Sequence, residues 1–189
     1  MTLPRPLAMI KAMFNVHELD KAIRRVPNFP KEGILFYDIT SILTNPRVFA
    51  SCIEEMKRIY QDAHIDAIAG IESRGFLFAA PFAHALGVPL ILIRKKGKLP
   101  GEVFSCKYDL EYGSAEIEAH KADIQKGQRV LVIDDLIATG GTLKAAQKII
   151  EEGGASVVEF FGIVGLPFLN YDKVLTPIKV RTLINYDSE

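Results

Sequence analysis

Two adjacent acids, Asp134 and Asp135, stand directly after an apolar run at 130–133 and just before a turn of small residues at 138–142. The turn holds alanine, threonine and glycine, and it opens onto residues 143–146, whose composition is typical of a helix. Backbone N–H groups at a helix N-terminus and the helix dipole both attract anions, so the turn suits a phosphate group. Carboxylates beside it suit hydroxyl groups or a metal ion. The arrangement predicts a site for a sugar phosphate.

The same segment admits other interpretations. A strand, turn and helix with acids at the strand end also occurs in α/β domains that bind nothing there. A nucleoside triphosphate loop needs the pattern GxxxxGK[ST], and no lysine follows the glycines of this segment. The dinucleotide fingerprint GxGxxG is missing as well. A plain structural turn and a sugar phosphate site both remain open on this evidence.

Basic residues follow two other predicted strands. Arg74 stands before a glycine after the strand predicted at 67–71, and the cluster at 94–98 follows the strand predicted at 89–93. Arginine can hold a phosphate group with two parallel hydrogen bonds. Taken alone, each set is also typical of a solvated surface. Because both sets follow strands of one predicted sheet, we expect them at the same edge, where they could contact a polyphosphate.

The elements that must position these residues alternate between apolar β runs and amphipathic helices. The sequence predicts strands at 34–39, 67–71, 89–93, 115–119, 129–133, 156–164 and 179–184, and helices at 15–25, 46–62, 76–86 and 142–152. Residues 95–108 are interpreted as a long loop, with part of a hairpin as the alternative. The alternation predicts an α/β fold with a mainly parallel sheet and helices on both faces. Such sheets bind ligands beyond the carboxyl ends of their strands.

The composition excludes several classes of protein. The chain has 189 residues, 49% of them hydrophobic and 24% charged, which predicts one globular domain rather than disorder. Its 23 basic and 23 acidic residues balance, so neither nucleic acid nor a membrane surface is an expected partner. Cys52 and Cys106 lack metal-ligand spacing and favour the reducing cytoplasm. We find neither a signal peptide core at the N-terminus nor an apolar run of about 18 residues.

The whole string V-L-V-I-D-D-L-I-A-T-G-G-T at 130–142 resembles the signature of the type I phosphoribosyltransferases, which bind phosphoribosyl pyrophosphate (PRPP). Further segments are similar, in order and spacing, to those of the adenine-specific members of that family: 29–39, 72–76, and 94–101 leading to 110–113. The similarity extends over about residues 26–186. It departs from the common family pattern at Glu32, where proline is usual, and at Tyr37, where a basic residue is usual.

The resemblance implies a fold and a reaction. The fold is the type I phosphoribosyltransferase fold, a twisted, mainly parallel sheet in one domain over 1–189. An N-terminal hood covers the base at about 1–40, and a flexible catalytic loop lies at about 95–112. A non-proline cis peptide is common in the family where Glu72 and Ser73 stand. The reaction transfers the 5-phosphoribosyl group of PRPP to N9 of adenine, giving AMP and pyrophosphate for purine salvage.

The resemblance also implies how PRPP is bound. Asp134 and Asp135 would face the ribose 2′- and 3′-hydroxyls. The 5′-phosphate would lie in the turn formed by Ala138, Thr139, Gly140, Gly141 and Thr142. Pyrophosphate and the rest of PRPP would contact Arg74, Lys95, Lys98 and Tyr112. Mg²⁺ would accompany PRPP, held mainly by pyrophosphate and ribose oxygens and water close to the two acids, with no protein ligand assigned.

The implied base pocket consists of Leu35, Phe36 and Tyr37 on one side and Leu166 on the other. Phe36 would stack on adenine, while backbone groups near Leu35 and Tyr37 meet the 6-amino group and N1. A 6-oxo purine would then leave a buried polar group unpaired, at a cost of about 1–3 kcal/mol. Glu111 would be the catalytic residue, relaying the proton that the purine nitrogen loses. Closure of the loop would exclude water from the cation-like sugar carbon.

The implied assembly is a cytoplasmic homodimer, with part of the pyrophosphate contact made across the dimer interface. Two alternatives stay open. One is a transferase for another base such as a 6-oxopurine, for which Lys173 is the nearest candidate to meet O6. The other is a regulatory protein that senses PRPP on the same fold and would carry a nucleic-acid-binding segment or a strongly basic face.

Overall fold

The computed structural model describes residues 14–109 and 113–188. The strands are β1 (Arg24–Pro27), β2 (Leu35–Asp38), β3 (Ala67–Ile71), β4 (Leu90–Lys95), β5 (Val103–Asp109), β6 (Ser114–His120), β7 (Arg129–Ile137), β8 (Ser156–Gly165) and β9 (Lys179–Asn185). The α-helices are α1 (Val16–Ala22), α2 (Pro46–Tyr60), α3 (Gly75–Leu86), α4 (Gly141–Glu152) and α5 (Tyr171–Leu175). Short 3₁₀ helices occupy Ile39–Thr44, Lys121–Asp123 and Pro167–Leu169.

The main sheet has seven strands in the order β5-β6-β4-β3-β7-β8-β9. The strands β4, β3, β7, β8 and β9 pair in parallel, each with its neighbour in this order. Strand β6 pairs antiparallel with both β4 and β5. Every residue of β3 is buried, which a strand in the middle of a sheet covered on both faces requires. The α/β fold with a mainly parallel sheet is confirmed.

The two faces of the sheet pack into two hydrophobic clusters. Val130 and Val132 of β7 belong to the cluster that contains the buried side of α4. Leu131 and Ile133 belong to the cluster formed with α1, α2, α3 and Tyr37. Side chains on a strand alternate between faces, so β7 supplies both cores while its carboxyl end carries the acids.

The central strand β7 is longer than the sequence predicts. Its pairing with β3 stops at Ile133, but its pairing with β8 continues to Ile137 opposite Gly165. Asp134 and Asp135 therefore lie within β7, beyond its last residue that pairs with β3. The prediction that the strand ends at the acids was wrong, because the long partner β8 keeps the ladder going on one side.

The interpretation of 95–108 as a long loop was only partly right, and the alternative of a hairpin describes most of the segment. Strand β5 pairs with β6 from Val103 opposite His120 to Asp109 opposite Ser114. Alternating half-buried side chains, with Phe104, Cys106 and Tyr108 packed on the core, explain why it forms a strand.

The hood is a two-stranded antiparallel sheet of β1 and β2, preceded by α1. Asn15 caps α1 by accepting hydrogen bonds from the N–H groups of His17 and Glu18, as its sequence position predicts. The helix ends at Ala22 and not near Arg25, because the Arg24 N–H donates to Ser41 Oγ at 2.9 Å and the next residues pair with β2. Within the described ranges, no helix has the length and apolar character needed to cross a lipid bilayer.

Candidate functional site

A small pocket lies where β7 meets α4. It has a volume of about 90 Å³ and is lined by Asp134 and by residues 136–143, including the whole glycine and threonine turn. Gly140 has φ 83°, and a Cβ there would lie 3.0 Å from Leu175 Cγ, so only glycine fits. As the N-cap residue it has no side chain to cover the first N–H groups of α4. These groups are available to an anion.

The two acids have different surroundings, although they are neighbours in sequence. Asp134 is half-buried against the pocket, and its Oδ1 accepts a hydrogen bond from the Asp135 N–H at 2.8 Å. Burial and the adjacent Asp135 charge raise the pKa of Asp134 well above its usual range. Asp135 is only 4% exposed. Its burial raises its pKa, and the charge of Arg74 opposes that rise.

Arg74 connects the acids to the hood. Its Nε lies 2.9 Å from Asp135 Oδ2, an ion pair that lacks the alignment of a hydrogen bond. Its Cζ lies 5.6 Å from the centroid of the Phe36 ring, within the range of a cation–π contact. One guanidinium group therefore contacts an acid of β7 and an aromatic ring of β2.

Gly75 allows this approach. A Cβ at Gly75 would lie 3.0 Å from the Ile133 carbonyl oxygen and 3.1 Å from Asp134 Oδ1. Any larger residue would push the first turn of α3 away from β7. The glycine after Arg74 is thus a packing requirement that places the arginine beside the acids.

Two glutamates hold the basic turn after β4. Glu72 Oε2 accepts the Lys95 N–H at 2.9 Å and lies 3.3 Å from Arg94 Nε, and the Lys95 hydrogen bond lowers the pKa of Glu72. Glu118 is 4% exposed, and its Oε1 accepts the N–H groups of Lys98 and Leu99. The peptide bond between Glu72 and Ser73 is cis, as the resemblance implied.

The lysines of this turn point outward. Lys95 and Lys98 are both exposed, and in the described ranges neither lies within ion-pair distance of an acid. Lys96, in contrast, pairs with Glu116 at 2.8 Å. The two lysines that the resemblance assigns to pyrophosphate are therefore the ones whose charges are not neutralised by an ion pair in the described ranges.

The residues assigned to the base occupy the rim of one core cluster. Leu35 and Leu166 both pack against it, and the Leu166 N–H donates to the Ile137 carbonyl at 2.9 Å. The half-buried Phe36 meets Phe29 edge to face, with ring centroids 5.0 Å apart. Tyr37 differs, because its side chain is buried and stacks on Tyr186. Only its backbone is left to meet a base.

Glu111 and Tyr112 lie outside the described residues, between Asp109 and Gly113. Lys173, the candidate for contact with a 6-oxo group, is exposed on α5. In the part of the chain that is described, no three His, Cys, Asp or Glu side chains cluster as a metal site. The two acids of β7 would suit a Mg²⁺ ion that keeps most of its ligands from phosphate oxygens and water.

Sequence reasoning missed several residues that shape this site. Thr142 Oγ1 donates to the Tyr108 hydroxyl at 3.1 Å, so strand β5 contacts the glycine and threonine turn. Tyr108 was interpreted as part of a loop, although the alternation of the segment could have predicted its strand. Glu118 and Tyr186 carried no local signal, because their partners are distant in sequence.

Comparisons with known proteins agree on one family. The phosphoribosyl transferase domain family matches residues 38–173. The chain is 67% identical over 171 residues to adenine phosphoribosyltransferase of Treponema denticola, which covers 90% of each chain. It is similar to the crystal structure of adenine phosphoribosyltransferase from Thermoanaerobacter pseudethanolicus, with a TM-score of 0.88, 42% identity, and coverage of 91% of this chain and 100% of that one.

A second solved structure carries ligands. Adenine phosphoribosyltransferase from Saccharomyces cerevisiae, complexed with adenine and an imino-altritol bisphosphate, is 42% identical with a TM-score of 0.84. The alignment covers 89% of this chain and 97% of the yeast chain.

Proposed function

Because this chain belongs to the phosphoribosyltransferase family, we propose that it transfers the 5-phosphoribosyl group of PRPP to N9 of adenine, giving AMP and pyrophosphate for purine salvage. One observation carries the proposal at the level of the site. The glycine turn that opens α4, the acid pair of β7 and the aromatic hood are joined through Arg74, which contacts both Asp135 and Phe36.

PRPP would bind along the carboxyl end of the sheet. Its 5′-phosphate would accept hydrogen bonds from the N–H groups of residues 138–142 and from the threonine hydroxyls. Asp134, which lines the pocket, would accept a ribose hydroxyl, and Asp135 would take part while paired with Arg74. Arg74, Lys95 and Lys98 would attract the pyrophosphate, since the two lysines are exposed and neither lies within ion-pair distance of an acid in the described ranges.

Adenine would lie between Phe36 and Leu166. The ring of Phe36 is half-buried and positioned by Phe29 and Arg74, which supports a stacking role. Backbone groups of Leu35 and Tyr37 would recognise the 6-amino group and N1. This recognition does not need the Tyr37 side chain, which is occupied in the core.

Glu111 and Tyr112, which stand between β5 and β6 in the sequence, would act on the base and on PRPP. As pyrophosphate leaves, the sugar carbon becomes cation-like and the attacking purine nitrogen must lose a proton. Glu111 would accept or relay that proton. The contact between Tyr108 and Thr142 supports a location of the β5–β6 hairpin beside the bound phosphate.

A Mg²⁺ ion would neutralise part of the pyrophosphate charge when it is bound with PRPP. The rest of the proposed setting is a homodimer in the cytoplasm. Support for the cytoplasm comes from two free cysteines, one of them buried.

The test is an assay of the purified protein with Mg²⁺ and PRPP and, in turn, adenine, hypoxanthine, guanine, xanthine and uracil. We expect AMP and pyrophosphate in equal amounts from adenine, and far slower product formation from each other base. Faster reaction with a 6-oxopurine would assign a different transferase. PRPP binding without any product would favour a sensor.

A further inference from the structure

Tyr186, which follows the last strand of the main sheet, contacts the hood. Its ring stacks on that of Tyr37, with centroids 4.1 Å apart and planes inclined by only 6°. Tyr37 belongs to β2 and is 6% exposed. Aromatic pairs of this kind stabilise a structure beyond the effect of the area they bury.

The hydroxyl of Tyr186 extends the contact to the first helix. It donates to Asp20 Oδ1 at 2.6 Å, and the same oxygen lies 2.6 Å from Arg25 Nη2. The Arg25 Cζ lies 5.4 Å from the Tyr186 ring, and Arg25 pairs with Tyr37 in the β1–β2 ladder. Burial and the Asp20 hydrogen bond raise the pKa of Tyr186, which keeps the phenol protonated as a donor.

The backbone of Tyr186 is anchored at the other side of the base pocket. Its N–H donates to the carbonyl oxygen of Gly165 at 3.0 Å. Gly165 ends β8, and the next residue is Leu166. One residue therefore connects β2 with the segment that carries Leu166.

Strand geometry transmits this contact to Phe36. Neighbouring side chains on a strand point to opposite faces, so holding the Tyr37 ring in the core directs Phe36 away from it. Phe36 is only half-buried and contacts Arg74, while Tyr37 is enclosed. Loss of the stack would free β2 to rotate or shift relative to Leu166.

We propose that Tyr186 is a positioning residue for the purine base: it holds β2 against the end of β8 and thereby sets the gap between Phe36 and Leu166. The inference rests on the proposed function, because it assumes that adenine occupies that gap. Tyr186 would act through β2, without contacting the substrate itself.

The test compares the steady-state kinetics of the original protein with those of two Tyr186 variants and one control variant. Tyr186→Leu removes the stack and should raise the KM for adenine about tenfold, with kcat and the KM for PRPP changed by less than about twofold. Tyr186→Phe keeps the ring and should restore the KM for adenine to within about twofold of the original protein. Tyr186→Met replaces Tyr186→Leu if the leucine variant does not fold.

Tyr60→Leu is the matched control. Tyr60 is a buried tyrosine of α2 that packs on Phe82 and Phe161 instead of the hood. The Tyr60→Leu variant should lose about as much thermal stability as Tyr186→Leu and leave the KM for adenine unchanged. An equal rise in that KM for Tyr60→Leu, or an unchanged KM in the Tyr186 variant that lacks the ring, would overturn the inference. Failure of the unaltered protein to form AMP would instead refute the proposed function.

Discussion

The pocket of the glycine turn and the hood, which we propose bind the phosphate and the base, are built in opposite ways. The pocket comes from one continuous stretch, from Asp134 to Leu143, and offers mainly backbone groups. The hood depends on side chains far apart in the chain, such as the hydrogen bond between Tyr186 and Asp20, which stand 166 positions apart. The turn can form from contacts within one short segment of the chain. The contacts of the hood form only after the main sheet has brought distant segments together.

This difference predicts that substitutions will separate PRPP binding from adenine binding. Arg74 is the exception, since it contacts both Asp135 and Phe36. Substitutions of the acids and, separately, of the hood ring that Arg74 contacts test whether the two regions act independently.

The largest effect is expected at the acids. Replacing both, Asp134→Asn with Asp135→Asn, should weaken PRPP binding by about a hundredfold or more, since hydrogen bonds to charged groups contribute about 1.5–3 kcal/mol each. Titration calorimetry with PRPP and Mg²⁺ measures the affinity. Glu152→Gln, an exposed acid at the far end of α4, is the control and should leave it unchanged. Full affinity in the double variant would contradict the assignment of the acids to ribose.

A smaller effect, on the binding of adenine instead of PRPP, is expected at the hood. Phe36→Leu removes the stacking ring and should raise the KM for adenine about tenfold while PRPP affinity stays the same. Phe49→Leu makes the same chemical change where Phe49 packs on Phe78, away from the hood, and should leave both constants alone. If Phe36→Leu weakened PRPP binding as strongly as adenine binding, the separation of the two regions would be wrong.

The smallest effect concerns the stability of the free protein. The pKa of Asp134 is raised by folding, so its protonated form contributes stability that is present below the usual value of 3.8 and is lost as pH rises through the folded pKa. Asp134→Asn is neutral at every pH and should raise the thermal midpoint at pH 7 by a few degrees. The gain should shrink as the pH is lowered towards 4.

Calorimetric or circular dichroism melts between pH 4 and 8 provide the measurement. Asp62→Asn, an exposed acid, should show no such trend. If Asp134→Asn lowered the thermal midpoint at pH 7, the ionised Asp134 would stabilise the folded protein. The expected loss of stability from burying its charge would then be wrong.

Local signals predicted much of the fold. Asn45 caps α2 and Pro46 begins it, and Gly87 ends α3 in a left-handed conformation, as their types and positions indicate. Such signals act within one turn of the chain. The end of β7 could not be predicted in this way, because it depends on how far β8 extends alongside it.

The site divides along the same line. The turn at 138–142 was predicted with its helix and lies in a pocket with Asp134. The ion pair of Arg74 with Asp135 was not, since the resemblance assigned the arginine to pyrophosphate alone. The stack of Tyr37 on Tyr186 was also missed, because the two residues are far apart in the sequence. The roles of Glu111 and Tyr112 stay predictions from sequence.

The sequence by itself determined the α/β class, the order of the parallel strands with the helices between β3 and β4 and between β7 and β8, and the glycine turn before α4, because these follow from periodicity and from the types of neighbouring residues. Only the tertiary structure decided which acid faces the pocket, which one pairs with Arg74, and how Tyr186 holds the hood. Those outcomes depend on strand lengths and on side chains brought together by the sheet, and no local pattern encodes them.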